Sequence, residues 1–436
     1  MQTVQPRLTL NVCTRCHSWL ATSRSFSRAR PSLKRSLSTA PAAKPLNFTS
    51  YFFHNERWTS EPYHSDALVS PSAAIPPPPR TSYPPSTVPL TAYKDVPALT
   101  PSRLLTVYSQ LSKSRLSVLV VLTAMSGFAL SPLHASVPVL LSTALGTMLC
   151  SASANTLNQI QEIPFDAQMA RTRNRPLVRR AISPVHAAGF AVATGVSGGA
   201  LLWTMVNPVT AILGVSNIAL YAGLYTWMKR RTIWNTWVGA VVGGLPPLMG
   251  WTACGGQLLP SASYPIAIFL PSFLSASPVP DLMAIDNPLA PFALFMLLFS
   301  WQFPHFNALS HLVRGSYAQA GYRMLSVLSP SKNALVALRH AVLMTGICSV
   351  LVPLSGLTTW AFALTSLVPN AVCVNAAWKF WKSGAEKQAR TVFHHSLWYL
   401  PVVLGLMMLH KQGMDWGKWL GITEEEEDED LQGSQL

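Results

Sequence analysis

Asn158, Glu162 and Asp166 recur at i, i+4 and i+8, so on a helix the three side chains share one face. Pro164 falls between the two carboxylates and is expected to kink that helix. Ionisable groups at the end of a long apolar run are costly at membrane depth and therefore point to function. Oxygen donors stacked on one face suit Mg²⁺, which keeps part of its water shell and bridges one or two carboxylates to a substrate phosphate. Arg171 and Arg175 follow the last carboxylate closely, and a guanidinium fork matches phosphate oxygens bidentately. Together these groups could neutralise a diphosphate as its carbon–oxygen bond breaks. The competing reading, from the residues alone, is a loop ion-pair network in which Glu162 and Asp166 only pair with the arginines.

Such residues need elements that hold them at a membrane boundary. The 436 residues carry 11% charged side chains against roughly 25% in soluble domains. Apolar residues reach 49% and mean hydropathy is +0.28, so long runs must face lipid. Reading apolar runs of about 20 residues predicts nine spans, near 116–134, 137–157, 184–205, 209–227, 233–252, 289–311, 335–353, 356–376 and 392–410. The expected fold is all-α, a polytopic membrane bundle of about nine transmembrane helices. Tyr264 to Leu274 is apolar but too short to cross, and reads as an interfacial element.

The net charge of +15 does not indicate nucleic acid, because the cations sit at the N-terminus and between apolar runs. Lys and Arg are missing from 116–170, 181–228, 232–313 and 340–378. They gather in loops that nine spans would put on one side, such as Arg171 to Arg180 and Lys229-Arg230-Arg231. The rule that positive loops stay inside then orients the chain. Six cysteines at irregular spacing suggest neither a disulfide scaffold nor a metal cluster.

Residues 1–55 are basic, Ser-rich and free of Asp and Glu, with no apolar core of the secretory kind, and read as a mitochondrial transit peptide. Cys13-Thr14-Arg15-Cys16-His17 has the c-type haem spacing, but a leader supplies no folded pocket for haem. Residues 56–102 form a Pro-rich stretch expected to be a disordered linker, 103–412 the transmembrane domain, and 413–436 an acidic disordered tail. The expected location is the mitochondrial inner membrane, with basic loops and site toward the matrix and the C-terminus toward the intermembrane space.

The stretch from Asn158 through Asp166 to Met169-Ala170-Arg171-Thr172-Arg173-Asn174-Arg175-Pro176-Leu177 resembles the first acidic motif of the UbiA superfamily of intramembrane prenyltransferases. Three further stretches are similar to its haem-farnesylating branch. These are Tyr225-Thr226-Trp227-Met228-Lys229-Arg230-Arg231-Thr232 continuing to Pro246-Pro247, Trp301-Gln302-Phe303-Pro304-His305, and Tyr317 through Ala320-Gly321 to Met324-Leu325. The likeness covers roughly 103–410. One departure is Gly315-Ser316, where the superfamily usually has one or two carboxylates before the tyrosine.

The resemblance implies an Mg²⁺-dependent transfer of the farnesyl group of farnesyl diphosphate to a vinyl group of haem B, giving haem O. It implies Asn158, Glu162 and Asp166 as metal-holding catalytic residues, and Arg171, Arg175, Lys229 and Arg230 as diphosphate contacts. Gln302, His305, His311 and Tyr317 become the haem contacts. The partners implied are the two substrates, the lipid bilayer, and haem A synthase with cytochrome oxidase assembly factors, and no nucleic acid. Two alternatives compete: a quinone-precursor prenyltransferase acting on a 4-hydroxybenzoate-type acceptor, and a non-catalytic haem carrier. Gly239 and Gly243, four apart, read as a helix-packing step, and Pro246-Pro247 as a break in the fifth span.

Overall fold

A computed structural model of the protein describes residues 100–271, 274 and 286–414. The expected leader with its Cys13–His17 pattern, the linker up to residue 99 and the tail from residue 415 lie outside the described residues. Thr100 to Ser102, read as the end of the linker, already cap and open the first helix. Thr100, Ser183 and Asn207 each accept a hydrogen bond from the backbone N–H three residues on, and each precedes a proline. Side-chain cap and N1 proline together satisfy helix starts that would otherwise leave donors unpaired.

The helices are α1 (Pro101–Leu111), α2 (Ser114–Leu130), α3 (Val137–Asp166), α4 (Pro184–Met205), α5 (Pro208–Met228) and α6 (Asn235–Ala253). Then come α7 (Leu289–Leu312), the short α8 (Arg314–Gln319) and α9 (Leu325–Leu328), α10 (Pro330–Leu354), α11 (Ala361–Ser383) and α12 (Glu386–Leu409). Each of the nine apolar runs falls on one long rod. Among the described residues seven helices are long and apolar enough to cross a membrane, α3, α4, α5, α7, α10, α11 and α12, and an eighth span counts if α1 and α2, bent by 55°, are one. The long helix outside that set is α6, in which 13 of 19 residues are buried. Packed inside the bundle, it tolerates Asn235, its glycines and Pro246-Pro247 where a lipid-facing helix would not. Those prolines do not break it. Pro164 likewise sits in the final turn of α3, which runs on to Asp166.

α3 packs along α4, α2 against α6, and α7 against α6, α10 and α12. The α2–α6 crossing is a backbone contact: a Cβ at Gly250 would overlap the Ala124 carbonyl, and one at Gly127 the Pro247 carbonyl. Small residues let helices without a hydrophobic driving force between them approach closely. A core of Leu294, Leu297, Met344, Phe362, Tyr399 and their neighbours joins α7, α10, α11 and α12. Between the two groups, α2, α3, α5, α6, α7 and α12 surround a cavity of about 930 Å³.

Tyr264 to Pro271 is extended chain without a helix. Phe269 donates its N–H to the Leu354 carbonyl at 3.0 Å, while Ile266, Ile268 and Leu270 stay exposed at that end of the bundle. Lys411, beyond α12, donates from Nζ to the Ala129 and Ser131 carbonyls at 2.8 and 2.9 Å, tying the last helix to the end of α2.

Candidate active site

At the other end of the bundle the last two turns of α3 meet four loops. Asn158, Glu162 and Asp166 are all buried and all face one small polar cavity of about 70 Å³. Lys113, Arg171, Arg175, Lys229, Tyr225, Tyr317 and Tyr322 complete its wall. The basic loops after α3 and α5 therefore share one end of the molecule with the carboxylates.

The contacts are specific. Lys229 donates to Glu162 Oε1 at 2.6 Å, and Arg175 pairs with Asp166 Oδ2 while lying 3.8 Å from Glu162 Oε2. Lys113 donates to Asn158 Oδ1 at 3.0 Å and to the Tyr221 hydroxyl at 3.3 Å. Asn158 Nδ2 in turn donates to Thr226 Oγ1 at 3.0 Å. Arg171 reaches the Tyr317 hydroxyl at 3.4 Å. Burial alone would lower the pKa of Lys229, but the Glu162 carboxylate outweighs it and holds the ammonium above its usual value. Burial, then the charges of Glu162 and Asp166, push the Tyr322 phenol well above its usual value, so it stays a proton donor.

Burial, then the charges of Arg175 and Lys229, lower the Lys113 pKa to about 7. Arg171, Arg175 and Lys229 against two carboxylates still leave this cavity positive, and two of its polar atoms lack partners. Asp166 Oδ1 and the Tyr322 hydroxyl are both buried without a hydrogen bond. Leaving such groups unpaired costs about 1–3 kcal/mol each, so an acceptor and a donor stand ready for a ligand. Among the described residues no three His, Cys, Asp or Glu side chains gather as a closed metal cage. Two carboxylates and an amide on one helix face do fit Mg²⁺, which takes its remaining oxygens from water and phosphate.

The local fold explains this convergence. Residues 219–225 of α5 form a π-helical turn, a feature frequent at functional sites. The wider turn stacks Tyr221 on Tyr225 at 5.4 Å, and the Thr226 hydroxyl takes up the Tyr221 carbonyl at 2.8 Å. Tyr225 also packs under Lys229, 4.5 Å from Nζ to ring centre, and lines both the polar and the large cavity. Lys113 sits in the bend between α1 and α2 with φ of 48°, a left-handed backbone that turns its side chain inward.

The sequence-expected residues divide. Asn158, Glu162, Asp166, Arg171, Arg175 and Lys229 line the polar cavity, and so does Tyr317, which sequence reading assigned to the haem contacts. Arg230 is exposed and lies over the Phe165 ring, 4.2 Å from its centre, outside that wall. Gln302 and His305 line the large cavity. His311 lines neither: it contacts the Gly384 carbonyl at 3.1 Å and packs edge-on against Phe380. Gly315 is exposed and Ser316 does not reach the polar cavity. Sequence reading missed Lys113, Tyr225 and Tyr322. Lys113, a lysine just before the first apolar run, carried the one available signal.

The large cavity is apolar over most of its wall. Gln302 Nε2 donates to the Ala240 and Leu298 carbonyls at 2.9 and 3.1 Å, and the Gly243 surface has no room for a Cβ beside that amide. Gly239 likewise makes room for the Tyr225 ring. The glycine pair thus packs against side chains of the cavity wall. Leu119, Leu122 and Leu397 line the cavity yet are 59%, 57% and 51% exposed, so it lies open to the outside along α2 and α12.

Fold and site together define a polytopic membrane protein with a cationic, carboxylate-bearing pocket beside a large, mostly apolar cavity. The profile of the UbiA prenyltransferase family matches residues 120–398, and the chain belongs to that family. It is 45% identical over 338 residues to a mitochondrial protoheme IX farnesyltransferase of Yarrowia lipolytica, covering 74% of this chain and 65% of that one. To the human protein of the same name it is 42% identical over 306 residues, covering 70% and 62%. The chain thus spans under two thirds of the length of these curated relatives. A solved digeranylgeranylglyceryl phosphate synthase shares its fold, with a TM-score of 0.53 at 16% identity over 71% of this chain and 98% of that one.

Proposed function

We propose that the protein transfers a farnesyl group from farnesyl diphosphate to a vinyl group of haem B, yielding haem O for haem A synthesis. One observation carries this reading: a positive pocket with two unpaired polar atoms shares Tyr225 with an apolar cavity large enough for an isoprenoid and a porphyrin. The names of the relatives supply the acceptor.

Lys113, Arg171, Arg175 and Lys229 bind the diphosphate, and the Tyr322 phenol donates to it. Glu162, Asp166 and Asn158 are suited to hold Mg²⁺, which when bound would stabilise charge on the departing diphosphate. The bond from farnesyl C1 to oxygen breaks and its electron pair leaves with the diphosphate. Apolar walls keep the allylic cation from bulk water. The vinyl π electrons form the new carbon–carbon bond, water adds to the cation this leaves on the porphyrin side, and a proton departs. The setting proposed is the mitochondrial inner membrane, with the basic loops toward the matrix and the C-terminus toward the intermembrane space. There the product would meet haem A synthase and cytochrome oxidase assembly factors.

The test is the mass of the product after incubating purified protein with labelled farnesyl diphosphate and either haem B or 4-hydroxybenzoate. A farnesylated hydroxyethyl porphyrin is expected from the first pair. Label found only on the phenolic acid would replace this reading by the quinone-precursor one.

A further inference from the structure

His305 of α7 faces Ser396 of α12, with Nδ1 2.9 Å from the serine oxygen. Ser396 is fully buried, and its hydroxyl lies 2.7 Å from the Phe393 carbonyl, three residues back on the same helix. That carbonyl can only accept, so it takes the single hydroxyl hydrogen. Toward the imidazole, Ser396 can then only accept, and Nδ1 must carry the ring proton. In a neutral imidazole this leaves Nε2 with a lone pair. Nε2 is neither hydrogen-bonded to a described residue nor sealed in the packing, and the ring lines the large cavity.

The ring is held from its faces as well. His305 stacks on Trp301 at 4.8 Å with an interplanar angle of 18°, and Phe393 lies 5.1 Å away. Trp301 Nε1 donates to the Ser396 carbonyl at 2.9 Å, so one residue of α12 fixes both stacked rings. The neighbouring Gln302 amide donates to two backbone carbonyls and has no hydrogen left for orienting a ligand. Among the described residues His305 is the one imidazole on the cavity wall.

We infer that Ser396 is a positioning residue that locks His305 as the Nδ1–H tautomer, so that Nε2 ligates the iron of the porphyrin acceptor. The step is a coordinate bond from the Nε2 lone pair to iron, with no proton transferred. It rests on the haem-acceptor reading above. Second-layer partners of a ligating histidine typically change metal affinity by about 10–100-fold when removed.

The test titrates the full-length protein in lipid nanodiscs with haem B and with metal-free protoporphyrin IX, following the Soret band. The unmodified protein should show nitrogen-ligated iron. Ser396→Ala should weaken haem binding by about tenfold or more, shift the Soret band away from the ligated position, and leave protoporphyrin binding unchanged. Ser396→Thr, which keeps the hydroxyl, should restore the spectrum, and added imidazole should restore it in His305→Gly. Unchanged haem affinity and spectrum in Ser396→Ala would overturn the inference. Equal loss of both porphyrins would do the same, since it marks a packing role. Farnesylated haem formed by unmodified protein that shows no nitrogen ligation sinks this inference alone. No haem binding and no haem product sinks the acceptor reading with it.

Discussion

Lys113 reaches Asn158 across 45 positions of sequence, and it shows what residue types reveal by themselves. The i, i+4, i+8 spacing of Asn158, Glu162 and Asp166 was legible, because one helix sets their common face. Cations arriving from other elements were legible only as charges. Arg175 and Lys229 turn inward to the carboxylates while Arg230 turns outward over Phe165, and nothing in the run Lys229-Arg230-Arg231 distinguishes the two. The ion-pair network of the competing reading is present, and under the proposed function the same residues serve as the ligand site. Asp166→Asn and Glu162→Gln are expected to lower turnover by about 100-fold or more while haem binding persists, as for removal of a group that stabilises developing charge. Full activity in both variants, in a single-turnover assay, would remove these carboxylates from the leaving-group chemistry. Lys113→Met should raise KM for farnesyl diphosphate about tenfold, from loss of a charge-assisted contact worth ~1.5 kcal/mol. Chelation with EDTA should abolish transfer and added Mg²⁺ restore it; turnover that survives dialysis against chelator argues for cations alone.

Among the elements, all nine apolar runs could be placed on helices because apolar length is a local property. The role of α6 was not legible. Pro246-Pro247 read as a break in it, whereas the helix runs on through them, and its glycines, two of them read as a packing step, receive α2, Tyr225 and Gln302. The π turn of α5 escaped sequence reading too, since it depends on Thr226 taking up a carbonyl five residues back. Backbone contact makes α6 sensitive. Gly250→Ala must push the Ala124 carbonyl away, an overpacking that costs about 1–3 kcal/mol. Its unfolding midpoint in detergent should fall clearly, while Gly189→Ala, where a Cβ meets nothing within 4 Å, should not. Equal midpoints for the two would contradict the close α2–α6 crossing.

Taken whole, the molecule turns apolar side chains outward along its spans, among them Val192 and Val196 on α4 and Ile212 on α5. Such a surface suits lipid, where a lysine near mid-membrane costs about 2.5–3.5 kcal/mol. Val196→Lys should therefore shift protein out of the membrane-integrated fraction on alkaline extraction, and unchanged integration would place that face of α4 away from lipid. The exposed leucines on the cavity wall have a further effect. A closed tunnel can gauge an isoprenoid by its blind end, but a trough lacking one side has no ruler. Under the proposed reaction a longer prenyl tail would simply trail out among the acyl chains. Discrimination by tail length must then arise from supply of the donor, and the hydrophobic product can slip away sideways without passing the charged mouth.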